Sequence, residues 1–213
     1  MTYPNAYEGV KKIRTAQLFM LVIAVIGIVL AIMTAIAGGT KSIEGGTLAG
    51  AGVIALIAGI LAIVAFVINL IGLSKASKDE GNFRTALTMT IVGIVVSVIS
   101  SAFSGNTMVN GILELVGNAI SVFVMMYVVR GIMSLARNLG NDEMISKGKS
   151  ILTKVVTVYV IAIIVGLIGT VLQGNQTAMV IAGILLLIAE VLDIIVFITY
   201  IKYLTKAVAM LEK

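Results

Sequence analysis

The sequence predicts an all-α integral membrane protein with six transmembrane helices. The chain of 213 residues is 60% hydrophobic and only 12% charged, whereas soluble domains have about 25% charged residues. Its mean hydropathy is +1.15. The apolar residues also form six continuous stretches, each long enough to cross roughly 30 Å of hydrocarbon as a helix. Because unpaired backbone groups are costly in lipid, such stretches must be helical.

We place the six spans along the whole chain, which we expect to form one membrane domain over residues 1–213. The spans lie near residues 16–37, 48–73, 85–104, 108–130, 155–173 and 178–203.

The basic residues predict the orientation of these spans. Fourteen of the fifteen lie before span 1, between spans 2 and 3, at or between spans 4 and 5, or at the end of the chain; Lys41 lies on the other side. The positive-inside rule then places both termini in the cytoplasm, in a multi-pass protein of the cell (inner) membrane. The net charge of +5 is explained in this way, and we expect no nucleic-acid partner.

Three segments, at 7–78, 79–141 and 142–213, each have an acidic residue, a basic helix start, a span, a short link, a second span and a basic end. This shared order predicts three two-helix repeats. They start YEGVKKIRTA, DEGNFRTALT and DEMISKGKSI, and their second spans end in IGLSKASK, VRGIMSLARN and IKYLTKAVAM. Any six-span protein with basic cytoplasmic loops looks partly periodic, but the Arg-Thr-Ala at 14–16 and 84–86 favours triplication. A unit of two spans returns the chain to the side of the membrane where it started, so successive units have the same orientation. We therefore expect three parallel hairpins around a pseudo-threefold axis.

The starts of the repeats also carry helix-capping residues. Asn5, Asp79 and Asp142 are expected to be N-caps, and Gly140 is expected to end a helix.

Small residues at helical spacing predict close helix packing in the spans. Span 3, for example, carries Gly93, Ser97, Ser101 and Ser104, and such residues let helix backbones approach each other in lipid. A flexible gate or narrow pore is the alternative interpretation of the same pattern.

Two carboxylates lie in the middle of span 6 and form the first half of the candidate site. Glu190 and Asp193 are three residues apart and share a helix face, which Tyr200 continues. A charged side chain at this depth costs about 2.5–3.5 kcal/mol on insertion scales, so such residues are functional candidates. Two ionised neighbours would repel each other unless a proton or a cation is bound between them.

Span 4 supplies the second half of the candidate site. Asn110, Glu114, Asn118 and Ser121 follow each other at spacings of 4, 4 and 3, which places them on one face. When the second spans of the repeats are aligned by their basic ends, Asn118 falls level with Glu190. We therefore expect these polar faces to point at the axis of the bundle.

These residues predict a carrier or binding component for a cation or small polar solute that uses buried carboxylates. The ligand-binding residues would be Glu190, Asp193, Glu114, Asn118, Ser121 and Tyr200. The alternative is a non-transporting scaffold or accessory subunit, in which the polar residues only fix helix packing. The expected partners are the lipid bilayer and a cation, proton or small polar solute, and a homo- or hetero-oligomer is left open.

Several chemistries are excluded by composition. Cysteine and histidine are absent, which removes disulfides, thiol chemistry, Cys/His metal sites and histidine acid–base catalysis. No P-loop, zincin or Gly-x-Ser-x-Gly motif is present. We therefore expect no enzyme activity, cofactor or metal centre.

The predicted topology can be tested with single cysteines, because the native chain has none. Ser77→Cys, in the link after span 2, should react with an impermeant thiol reagent only from the cytoplasmic side. Ser42→Cys, in the link after span 1, should react only from outside. The reverse pattern in labelled intact cells would show that the orientation is wrong.

Overall fold

The computed structural model describes residues 2–39, 45–103, 105, 107–171 and 176–212. Within these residues the side chains of 31–39, 45–51, 107–108, 114, 165–171, 176–184, 186–187 and 190 are outside the description. The described residues form six helices: α1 (Pro4–Gly39), α2 (Gly45–Ala76), α3 (Gly81–Ala102), α4 (Thr107–Asn138), α5 (Asp142–Val171) and α6 (Gln176–Leu211).

The helices have the length and composition of membrane spans. Five described stretches qualify: Pro4–Leu30, Gly52–Ala76, Gly81–Ala102, Val109–Asn138 and Val191–Leu211. The predicted span 155–173 begins in α5 and runs past the described residues. The prediction of a multi-pass helical membrane protein is thus confirmed. At 36 residues each, α1 and α6 extend about 54 Å, well beyond the hydrocarbon core.

The six helices form a closed ring. The most extensive contacts join α1 to α2, α3 to α4 and α5 to α6. Smaller contacts join α2 to α3 and α4 to α5, and α6 returns to pack on α1. The ring therefore consists of three consecutive hairpins, while a symmetry relation between them stays a prediction.

One end of the ring holds the start of α1 and the end of α6, and the buried side chains among the described residues are concentrated there. We call this the terminal end, and the opposite end, with the α1–α2, α3–α4 and α5–α6 links, the link end. All six helices contribute to one apolar cluster, which we call the terminal core. Its members are Ala6, Val10, Ile13, Leu73, Ala76, Phe83, Ala86, Val128, Val129, Ile132, Leu135, Ala136, Met144, Ile151, Val155, Val196, Tyr200, Tyr203, Leu204, Ala207, Val208 and Leu211.

On the link side of the terminal core, many of the described apolar side chains are exposed. Val25, Val29, Ile60 and Val95 are examples. Such side chains are suited to contact lipid tails.

Two glycines bring α1 and α2 into backbone contact inside the terminal core. A Cβ on Gly9 would lie 2.5 Å from the Gly72 carbonyl oxygen, and a Cβ on Gly72 would lie 2.8 Å from that of Gly9. Only glycine fits at either position, as expected for helices that associate through small residues. An ion pair between Glu8 and Lys75 joins the same two helices at the surface.

Exposed ion pairs also join α5 to α6. Glu143 pairs with Lys147 in α5 and lies 3.7 Å from the Lys206 ammonium of α6. The hydrogen bond from Lys147, together with its charge, holds the pKa of the Glu143 carboxyl below its usual range. Exposed pairs of this kind add little stability, so they orient the helix ends rather than hold the bundle together.

The first helix is capped from a distant part of the chain. The Asp79 carboxylate accepts hydrogen bonds from the Ala6 amide at 2.7 Å and the Asn5 side chain at 2.9 Å. It thereby satisfies a free amide at the start of α1 and complements the positive end of the helix dipole. Asn5 itself is inside α1, which begins at Pro4, so the prediction that Asn5 is an N-cap is wrong.

The other two predicted N-caps are displaced by one residue. Glu80, not Asp79, caps α3 and accepts from the Asn82 amide at 2.8 Å, because the Asp79 carboxylate is used on α1. Asn141, not Asp142, caps α5 and accepts from the Met144 amide at 3.0 Å.

Gly140 ends α4 as predicted. It has a positive φ of 65°, and the amides of Gly140 and Asn141 donate to the carbonyls of Arg137 at 3.1 Å and Ala136 at 2.8 Å. This is a Schellman motif, in which glycine avoids the strain of the left-handed conformation.

Gly9→Ala should destabilise the protein by about 1–3 kcal/mol or more, because its methyl group would overlap backbone atoms of α2 that cannot rotate away. Gly27→Ala is the matched control on the same helix, since a Cβ at that position would have nothing within 4 Å. Thermal unfolding in detergent measures the difference. Equal melting temperatures for the two variants would contradict a close α1–α2 contact.

Candidate functional site

A cavity of about 1000 Å³ lies between the helices, on the link side of the terminal core. We call it the chamber. Described residues of α1, α2, α3, α4 and α6 line it, and many of them are polar and uncharged. The polar lining residues are Gln17, Asn69, Thr90, Ser97, Ser100, Ser101, Asn110, Asn118, Ser121 and Tyr200. A bilayer-embedded bundle that collects amides and hydroxyls around one space has a site suited to a polar ligand.

The terminal core closes the chamber on one side. Tyr200 and Val128 line the chamber and also belong to the terminal core, where they are 2% and 1% exposed. Phe197 lies beside them in the lining. These residues form the chamber floor, and below them the core is apolar and contributed by all six helices.

Nearer the link end, a hydrogen bond joins the two helices of the middle hairpin. The Ser100 hydroxyl of α3 donates to the side-chain oxygen of Asn110 in α4 at 2.5 Å. Both residues line the chamber, so this bond ties the polar walls of α3 and α4 together.

Three of the six predicted ligand-binding residues line the chamber: Asn118 and Ser121 of α4, and Tyr200 of α6. The structure thus brings part of span 4 and part of span 6 to one space. The side chains of Glu114 and Glu190 lie outside the described residues.

Asp193 is not among the described residues that line the chamber, although it points in nearly the same direction from α6 as Tyr200. It precedes Tyr200 by seven residues, which is almost two full turns and a difference in direction of about 20°. The same geometry places Asp193 between the directions of Tyr200 and Phe197. Asp193 is nevertheless exposed, whereas Ala189 and Val196 on the same face are buried. Asp193 therefore lies one turn or more from the chamber floor towards the link end, and its carboxylate is accessible from outside the packed part of the helix.

The lining hydroxyls bond to their own helices. Thr90, Ser97, Ser101 and Ser121 each donate to the carbonyl oxygen four residues earlier, at 2.9, 3.0, 3.0 and 3.1 Å. A hydroxyl that has used its hydrogen in this way retains an oxygen that can accept. The chamber therefore presents more acceptors than donors from its serines and threonines.

Sequence reasoning missed much of this lining. The sequence patterns predict neither Gln17 nor the α3 hydroxyls as site residues, and they assign Ser97 and Ser101 to a packing face. In the structure Gly93 packs closely, since its Cβ would lie 3.3 Å from Cγ2 of Ile120, whereas Ser97 and Ser101 line the chamber. The signal was present as a polar stripe through Thr90, Ser97 and Ser101, which recur at helical spacing.

Known proteins provide no further guide to the function of the chamber. Neither a protein family, nor a curated protein, nor a solved structure matches the chain.

The chamber should be filled with water, and two positions on α4 test this. Ser121→Cys lies in the lining and should react readily with a methanethiosulfonate reagent in proteoliposomes, because thiols react as hydrated thiolates. Phe123→Cys is the matched control, since Phe123 is 47% exposed on another side of the same helix and should contact lipid. Mass spectrometry gives the two rates; equally slow labelling would show that the chamber is not hydrated.

Proposed function

We propose that this protein binds a small polar solute or cation in the chamber and carries it across the membrane. The observation that supports the proposal best is the collection of ten uncharged polar side chains, from five helices, around one cavity within a membrane bundle. Polar groups inside a membrane are costly and are retained mainly where they serve a ligand or a helix contact.

The hydrogen bonds of the lining favour a ligand over a purely structural role. Ser97, Ser101 and Ser121 donate within their own helices, so these bonds do not join one helix to another. Among the described lining serines and threonines, Ser100 is the one whose hydroxyl bonds to a neighbouring helix. Helix association is instead supported by the terminal core and the Gly9–Gly72 contact.

The same geometry favours a ligand that donates hydrogen bonds or carries a positive charge. The hydroxyl oxygens of Thr90, Ser97, Ser101 and Ser121 are available as acceptors. Asp193 adds a carboxylate on the adjoining face of α6. An ammonium-type cation, or a neutral solute rich in N–H or O–H groups, would complement this lining.

The proposed orientation follows from the basic residues and the position of the core. With both termini in the cytoplasm, the terminal core would close the chamber on the cytoplasmic side. The three hairpins 7–78, 79–141 and 142–213 would then be parallel repeats around the chamber. The second helix of each hairpin buries two apolar residues three positions apart at the terminal end. These pairs, which occupy aligned positions, are Leu73 and Ala76, Ile132 and Leu135, and Leu204 and Ala207. The shared burial supports the repeat.

Proteoliposome flux tests the function. The probes are potassium, methylammonium and urea, and uptake of at least one should exceed that of protein-free vesicles. Asp193→Asn and Glu190→Gln retain shape but cannot ionise, and each should lower cation uptake roughly tenfold or more, because hydrogen bonds to charged groups are the stronger ones. Glu8→Gln, at the exposed terminal end of α1, is the matched control and should leave uptake unchanged.

The scaffold alternative predicts a different result. None of the probes would then cross the membrane faster than in protein-free vesicles, and none would raise the melting temperature of the protein. The cysteine of Ser121→Cys would not be labelled by the methanethiosulfonate reagent. Under that alternative, replacing Asn110 by leucine would lower stability because the Ser100–Asn110 bond is lost, whereas Asp193→Asn would have no effect on any probe.

A further inference from the structure

The terminal core must open somewhere if a solute is to leave the chamber on that side, and its helix contacts are not equivalent. Between α1 and α2 the contact is backbone against backbone, through Gly9 and Gly72. No side-chain rotation can create a passage at such a contact. This part of the core is therefore rigid.

The contact between α5 and α6 is made differently. The ends of α2 and α6 share a four-residue pattern, which is Leu-Ser-Lys-Ala at 73–76 and Leu-Thr-Lys-Ala at 204–207. When the two helices are aligned on this pattern, Tyr203 takes the position of Gly72. A Cβ on Gly148 of α5 would lie 2.8 Å from the Tyr203 hydroxyl oxygen and 2.6 Å from the Met133 sulfur. Flexible side chains, and not backbone atoms, fill this part of the core.

Tyr203 also carries an unsatisfied polar group. Its side chain is 2% exposed, and its hydroxyl has no hydrogen-bond partner among the described residues. A buried hydroxyl without a partner raises the free energy of the closed arrangement. Water or a polar solute that reached it would supply the missing bond.

The position of Tyr203 connects the chamber with the terminal surface. Tyr200, on the chamber floor, precedes Tyr203 by about one turn, and Lys206 follows by about one turn. Lys206 is exposed and lies 3.7 Å from Glu143. These three residues lie on successive turns of α6, each rotated by about 60° from the one before. They lie at the level of the chamber floor, of the apolar core and of the charged cluster at the terminal end.

We propose that Tyr203, Gly148 and Met133 form an inner gate through which the solute passes between the chamber and the terminal end. Rotation of the Tyr203 ring away from Gly148, with displacement of the Met133 side chain, opens the gate. The Tyr203 hydroxyl then bonds to the passing water or solute. This inference rests on the proposed function, because it needs a ligand or water in the chamber.

The experiment uses a cysteine on the far side of the gate. Met144 lies one turn from Gly148 on α5, towards the terminal end, and is 3% exposed. Met144→Cys is labelled in proteoliposomes with a methanethiosulfonate ethylammonium reagent outside and free cysteine inside as a scavenger. The extent to which Ser121→Cys is labelled gives the fraction of molecules whose chamber is accessible to the reagent. Ile13→Cys, fully buried at the α1–α2 contact, is the matched control.

The gate predicts opposite effects for two changes at Tyr203. Tyr203→Ala should accelerate labelling of Met144→Cys and leave Ile13→Cys protected. Tyr203→Phe removes the unsatisfied hydroxyl and keeps the ring, so it should raise the melting temperature and slow labelling roughly tenfold. The Phe variant keeps the test decisive if the Ala variant does not fold.

Other outcomes overturn the inference. If Tyr203→Phe lowers the melting temperature, the hydroxyl has a structural bond and is not a gate element. A second such outcome is labelling of Met144→Cys and Ile13→Cys at equal rates with Tyr203 unchanged, with Tyr203→Ala and with Tyr203→Phe, while Ser121→Cys is also labelled. The chamber is then hydrated but does not open at this contact. If Ser121→Cys is itself protected, the proposed function fails and the gate with it.

Discussion

Close packing of six helices at one end of the bundle is the constraint on which the other features depend. The terminal core takes side chains from every helix, and at Gly9 and Gly72 it brings two backbones into contact. Many of its members, such as Ala6, Val10 and Leu211, lie outside the predicted spans, on helices that extend beyond the hydrocarbon core. Removal of their apolar surface from water therefore contributes to the packing, together with the close backbone approach at the two glycines.

The polar lining is compatible with a membrane because most of its serine and threonine hydroxyls are already satisfied. Ser97, Ser101 and Ser121 each donate to a carbonyl of their own helix. The cost of placing them in a bundle is therefore smaller than for a free donor. What remains is an acceptor surface that is available to a ligand, and this distinguishes the chamber from a set of helix–helix bonds.

The terminal end combines firm and adjustable contacts. The Asp79 carboxylate caps α1 from the turn between α2 and α3, so the start of the chain is tied to the junction of two hairpins. Across the bundle, the side chains of Tyr203 and Met133 pack on Gly148 of α5. The backbone contact and the side-chain contact lie at aligned positions of α2 and α6.

The sequence by itself determined the class of the protein and the number of described helices, because hydropathy and helix length act locally along the chain. It also identified Asn118 and Ser121 on one face of α4 and Tyr200 on a face of α6, and all three line the chamber. Only the tertiary structure decided which faces meet. The serines of span 3 line the chamber although their spacing equally suits packing, and Asp79 caps a helix that begins more than seventy residues earlier. Contacts between distant segments depend on how the helices are arranged around the ring, and local patterns do not encode that arrangement.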